Sequence, residues 1–202
     1  MKNSIFFSLS FSLCLVLAGV LNAGAAECAA GMQGDADKNN VLTCSEAKNL
    51  AGERFSALDT GKDKRLSMDE METGMTGIHK IMDANGDGTV DVREYISYWC
   101  GAAPANIKTP ARGNKQPQFT KMDSNRDGTV SSGECQLLWS VRFRDADENR
   151  DGKLTSREYV QSLILWFADM DPNRDSSVTL SEWNKYWIGS CRTAKKGKTS
   201  GR

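Results

Sequence analysis

Apolar residues recur at helical spacing in four stretches. Ala47, Leu50, Ala51, Phe55 and Leu58 line the first. Met71, Met75, Ile78 and Met82 line the second, where Gly74 and Gly77 weaken the helix. Leu138, Val141 and Phe143 belong to the third, and Val160, Leu163, Ile164, Phe167 and Met170 to the fourth. Each predicts an amphipathic helix. Two further stretches end in Trp99-Cys100 and Trp187, aromatic endings suited to closing a core. The segments between are polar and acid-rich. Each keeps one branched apolar residue: Leu42, Leu66, Val90, Val130, Leu154 or Val178. The N-terminus differs. An apolar run from Ile5 to Leu21 follows Lys2 and leads into the small residues Asn22 to Ala26. That order predicts a signal peptide over 1–25, cut after Ala25 or Ala26, with a retained membrane anchor as the alternative. No other segment is apolar enough to cross a bilayer, so no stable membrane insertion is expected after cleavage.

The acidic clusters repeat at a fixed step. They begin at Asp35, Asp59, Asp83, Asp123, Asp147 and Asp171, with steps of 24, 24, 40, 24 and 24 residues. The second triplet is thus the first shifted by 88 residues, and other residues follow the shift. Arg54-Phe55 maps on Arg142-Phe143, Met82 on Met170, and Tyr98-Trp99 on Tyr186-Trp187. Residues 101–118 hold three of the four prolines and read as a linker; 192–202 read as a basic tail. The expected organisation is a first lobe over 26–100 and a second over 119–191.

Each cluster opens a twelve-residue frame. Oxygen-bearing side chains stand at positions 1, 5 and 9, and at 3 in every frame but the second, with a branched apolar residue at 8 and Glu at 12. The frames at 83, 123 and 147 carry Gly88, Gly128 and Gly152 at position 6. This resembles the EF-hand calcium loop. Calcium is a large, hard cation that takes six to eight oxygens at flexible distances, and a bidentate Glu at 12 favours it over octahedral magnesium. Position 7 supplies its backbone carbonyl.

The resemblance implies a ligand set for each loop. Loop 35–46 offers Asp35, Asp37, Asn39, the Val41 carbonyl and Glu46. Loop 59–70 offers Asp59, Asp63, the Arg65 carbonyl and Glu70; it is the weakest, since Gly61 has no side chain at position 3 and Lys64 occupies the turn. Loop 83–94 offers Asp83, Asn85, Asp87, Thr89, Asp91 and Glu94. Loop 123–134 offers Asp123, Asn125, Asp127, Thr129 and Glu134, and loop 147–158 offers Asp147, Asn149, Asp151, Lys153 and Glu158. Loop 171–182 offers Asp171, Asn173, Asp175, Ser177 and Glu182, with Ser176 in place of the glycine. Asn40 holds the same turn in the first loop, where asparagine tolerates the left-handed conformation.

The 24-residue step sets the topology. Only twelve residues separate Glu46 from Asp59, enough for one helix about 18 Å long. That helix leaves one loop and enters the next, so consecutive loops sit at its opposite ends. The expected fold is all-α and EF-hand-like, in two lobes. Each has three calcium loops joined by shared helices, with short β-bridges between loops. Loops 35 and 83 are expected to pair, and likewise 123 and 171.

The 26 basic residues balance 26 acidic ones, and 19 of the acids stand at ligand positions. The charge balance argues against a nucleic-acid partner. After signal removal five cysteines remain: Cys28, Cys44, Cys100, Cys135 and Cys191. Up to two disulfides are expected in an oxidising compartment, with the pairing open. His79, the single histidine, falls in a slot that other frames fill with Phe55, Phe119, Phe143 or Phe167. The methionines read as core. No nucleophile–base pair suggests an enzyme. The chain resembles secreted or periplasmic bacterial proteins with several EF-hands. That resemblance implies a calcium buffer or sensor, with a calcium-stabilised structural or adhesion module as the alternative. It leaves room for a protein partner that the sequence does not name.

Overall fold

The computed structural model describes residues 32–103, 106–107, 109 and 118–191. The expected signal peptide, Cys28, most of the linker and the basic tail lie outside the described residues. In chain order the elements are β1 (Val41–Thr43), α1 (Cys44–Leu58), β2 (Arg65–Leu66), α2 (Met68–Met82), β3 (Thr89–Asp91), α3 (Val92–Cys100), α4 (Phe119–Met122), β4 (Thr129–Ser131), α5 (Ser132–Ala146), β5 (Lys153–Thr155), α6 (Ser156–Met170), β6 (Val178–Thr179) and α7 (Leu180–Trp187). The fold is all-α and EF-hand-like. Among the described residues no helix is long and apolar enough to cross a membrane.

The shared helices form as expected, and the structure shows what starts and stops them. Each of the six loops hands over to its helix through a capping box. The position 9 side chain (Thr43, Ser67, Asp91, Ser131, Thr155 or Thr179) accepts the N–H of the position 12 Glu. That Glu accepts the position 9 N–H in return, so two otherwise unpaired helix donors are satisfied together. α1, α2, α5 and α6 then run fifteen residues each and stop at the Asp that opens the next loop.

The expected pairing within each triplet does not occur. The position 8 residues bridge across the triplets instead: Leu42 faces Val130, Leu66 faces Val178 and Val90 faces Leu154, all antiparallel. Loop 35–46 therefore pairs with 123–134, 59–70 with 171–182, and 83–94 with 147–158. The reason is arithmetic. Three loops cannot pair off among themselves, and one strand per triplet would keep unpaired backbone donors and acceptors. Crossing gives every loop a partner. It also packs α3 on α5, α2 on α6 and α1 on α7. The two triplets accordingly share one buried core rather than closing as two separate lobes.

Aromatic rings fill the centre of that core. Tyr95 of α3 makes edge contacts with Trp139, Phe143 and Tyr159 of the second triplet, with centroids 5.9, 5.5 and 6.3 Å away. Trp99 stacks on Trp139 at 4.0 Å. The Trp183 indole N–H donates to the Ala51 carbonyl at 2.8 Å, fixing α7 on α1. Met71, Met75 and Met82 are buried, as is His79. The His79 ring lies 5.9 Å from that of Tyr159, and its Nε2 is 2.9 Å from the Leu154 carbonyl oxygen in the partner loop. Ile164, placed on the apolar stripe of α6 by its spacing, is 53% exposed; Tyr159 and Trp166 take the inward places beside Leu163 and Phe167. Two disulfides also cross between triplets, Cys44–Cys191 and Cys100–Cys135, with Cα atoms 6.0 and 5.7 Å apart.

Candidate metal centre

Each loop folds around its own first residue. The carboxylate at position 1 accepts the N–H groups of positions 5 and 6. Asp35 takes Asn39 and Asn40 at 3.1 and 2.7 Å, and Asp147 takes Asp151 and Gly152 at 3.2 and 2.9 Å. The same pair of bonds closes the loops at Asp59, Asp83, Asp123 and Asp171. In every loop but 59–70, where position 3 is Gly61, the position 3 side chain then accepts the N–H of position 5, as from Asp87 to Asn85 at 2.8 Å. Position 5 accepts the N–H of position 7, as from Thr129 to Asp127 at 2.8 Å. A carboxylate has about four acceptor sites, and these bonds use only some of them. The backbone thus aims the side-chain oxygens of each loop inward and leaves acceptor capacity for a cation.

Sharp turning at two positions makes this possible. Position 4 is left-handed at Lys38, Lys62, Arg126, Arg150 and Arg174 as well as at Gly86. Position 6 is left-handed in the three irregular loops too, with φ of 62° at Asn40, 66° at Lys64 and 65° at Ser176. A non-glycine residue costs on the order of 1–2 kcal/mol in that region, less for Asn. The irregular loops therefore keep the frame and carry strain that Gly88, Gly128 and Gly152 avoid.

Position 12 closes each site from the far side. Its Oε2 accepts the position 9 N–H at 2.9 or 3.0 Å in every loop. Its Oε1 reaches the start of the loop, accepting from Ala36 in the first and from Gly61 in the second. The N–H groups of Ser67 and Gly61 hold the Glu70 carboxyl down at about 2. Burial pushes Glu46, Glu134 and Glu158 up, but donors from Thr43, Ser131 and Thr155 outweigh it and keep all three below the ordinary value. Asp127 is lowered by the Thr129 hydroxyl and N–H, and Asp87 by Thr89 and then Lys153. These acids hold their charge where a divalent cation needs it.

All thirty residues expected to supply ligands stand in their frames. In the first loop Asp35, Asp37 and Glu46 bring carboxylate oxygens within 4.8 Å of one another. Among the described residues this is the one such triple. The other loops also carry carboxylates at positions 1 and 12, but their second Asp stands at position 5, with Asn or Gly at position 3. The donor set is oxygen throughout, with carboxylates, amides and carbonyls together, which is the set a hard cation of calcium's size takes. Two features went unread in the sequence. The position 9 side chains act as helix caps, in five loops as a Ser/Thr-x-x-Glu signal that was there to be found. The basic side chains at position 7 of two loops reach into their partner loops, which no local pattern indicates.

Residues 80–97, 115–138 and 141–164 match the EF hand family. These three stretches are EF hands, and the ligand they take is calcium. The matched stretches cover the three loops with glycine at position 6. The chain is also 31% identical over 97 residues to the type 2 form of human calcineurin B. That likeness spans 44% of this chain and 55% of the relative, so just over half of the relative's length is represented. Among solved structures, a homologue of programmed cell death 6 protein from Leishmania major Friedlin is similar at 18% identity, covering 54% of this chain and 71% of that one, with a TM-score of 0.17.

Proposed function

We propose that this protein is a non-catalytic calcium buffer of an oxidising compartment, secreted or periplasmic. The carrying observation is the way the loop pairs are tied. The Cys44–Cys191 bridge joins the start of α1 to the chain just beyond α7, and Cys100–Cys135 joins the end of α3 to α5. A sensor works by opening its helices and exposing a soft apolar groove. Here two of the three helix pairs packed across the triplets, α1 with α7 and α3 with α5, are covalently joined, and Met71, Met75 and Met82 are buried. Disulfides persist in oxidising compartments, which supports the same location as the signal-like N-terminus.

Calorimetric titration with calcium, paired with apolar-dye fluorescence, tests the reading. Uptake at several loops with unchanged dye signal is the expected result. Dye binding that appears on calcium addition would mean a sensor and would overturn the buffer reading. Thiol alkylation of protein recovered from the medium or periplasm tests the location: Cys44, Cys100, Cys135 and Cys191 should resist labelling until reduced.

A further inference from the structure

Two of the three loop pairs contain a cation that belongs to one loop and holds a ligand of the other. Lys153, at position 7 of loop 147–158, places Nζ 3.0 Å from Oδ2 of Asp87, at position 5 of loop 83–94. Arg65, at position 7 of loop 59–70, places Nη1 3.0 Å from Oδ2 of Asp175, at position 5 of loop 171–182, and also contacts the Ser177 hydroxyl. The bridge register explains why both reach the same place. Position 7 of one strand lies opposite position 9 of its partner, as in Lys153 facing Asp91 and Arg65 facing Thr179. A long side chain there extends back over the partner's loop. Only one member of each pair is basic: the reciprocal position 7 residues are Thr89 and Ser177. In the third pair they are Val41 and Thr129, which carry no charge.

The carboxylates held in this way are assigned to calcium by position. A cation already on Asp87 or Asp175 competes with the ion for that oxygen. Once displaced, it still stands a few ångströms from a doubly charged ion. We propose that Lys153 and Arg65 are affinity-setting residues acting across the loop pairs, each lowering calcium affinity in its partner loop, 83–94 and 171–182 respectively. The two loops that receive a cation differ in quality, one with Gly88 at the turn and one with strained Ser176. The effect is therefore a property of the pairing and not of either loop alone. It rests on calcium binding by the loops, and it widens the range of concentration over which the chain takes up calcium.

The test is a calcium titration of the full chain carrying Lys153→Met, which keeps the aliphatic stem and removes the charge. Affinity at one site should rise by about three- to tenfold, a range set by exposed charges a few ångströms apart. The gain should persist in a Glu158→Gln background, which disables loop 147–158. It should vanish in a Glu94→Gln background, which disables loop 83–94. Lys153→Arg should restore the wild-type affinity. Arg65→Met should give the matching gain, lost with Glu182→Gln and kept with Glu70→Gln. Unchanged affinity, or a gain that survives Glu94→Gln and disappears with Glu158→Gln, overturns the proposal. A wild-type chain that takes up no calcium would overturn the calcium assignment itself, a different result from an unaltered affinity.

Discussion

Single residues here do double duty, and Glu at position 12 is the clearest case. It is the expected bidentate ligand of its loop and also the third residue of the following helix, closing the capping box. One side chain thus couples the site to the start of the helix. Tyr95 shows the opposite economy. It is fully buried at the meeting point of four aromatic rings, yet its hydroxyl has no hydrogen-bond partner among the described residues. Burial accordingly pushes its pKa up. A buried polar group without a partner costs on the order of 1–3 kcal/mol, while an apolar residue of the same shape keeps the packing. Tyr95→Phe should therefore raise stability by about 1 kcal/mol, measured by urea denaturation in the presence of chelator. The ring-edge contacts with Trp139 and Phe143 remain in that variant.

At the scale of elements, the sequence was most legible where one residue decides one bond. The frame positions, the shared helices and their inward stripes could be read because each depends on neighbours within a few places. Ile164 was misplaced because α6 is apolar over much of its surface, and spacing alone does not say which apolar residues turn inward. The caps carry a pH dependence. Glu70 is held at about 2 against an ordinary 4.5 by the Ser67 and Gly61 N–H groups. Its folded value lies below its unfolded one, so its contribution is fully present above about 4.5 and is lost as pH falls through about 2. In chelator, the stability difference between wild type and Glu70→Gln should shrink as pH falls through that window. The difference is small, because the carboxylate is in contact with solvent. A gap that stays constant down to pH 2 would show that the capping bond does not depend on the charge.

For the whole molecule, pairing was the feature that local pattern could not convey. All six position 8 residues are apolar and branched, so by that criterion any loop could bridge any other. The choice goes with the helices, which pack α1 on α7, α2 on α6 and α3 on α5. Cysteine placement reflects this: both bridges join residues from different triplets. It follows that half of the chain is not a folding unit. Residues 32–103 alone would leave β1, β2 and β3 without partners, and Tyr95 and Trp99 exposed. That fragment should lack a cooperative thermal transition even in calcium. Mixing it with residues 118–191 should restore one, readable in near-ultraviolet circular dichroism. A cooperative transition in the isolated fragment would show that the first triplet closes its own core.

The crossed bridges also impose an order in time. Strands β1, β2 and β3 are complete well before their partners are synthesised. The waiting length is 88 residues for the first loop, 112 for the second and 64 for the third. At roughly 5–20 residues per second, the leading half spends several seconds or more outside the ribosome with its bridge edges unmatched. Both disulfides are subject to the same delay, since Cys135 and Cys191 are late residues. The final shape is thus settled only near the end of translation, and a chain truncated before α7 could complete neither the packing of α1 on α7 nor the Cys44–Cys191 bridge.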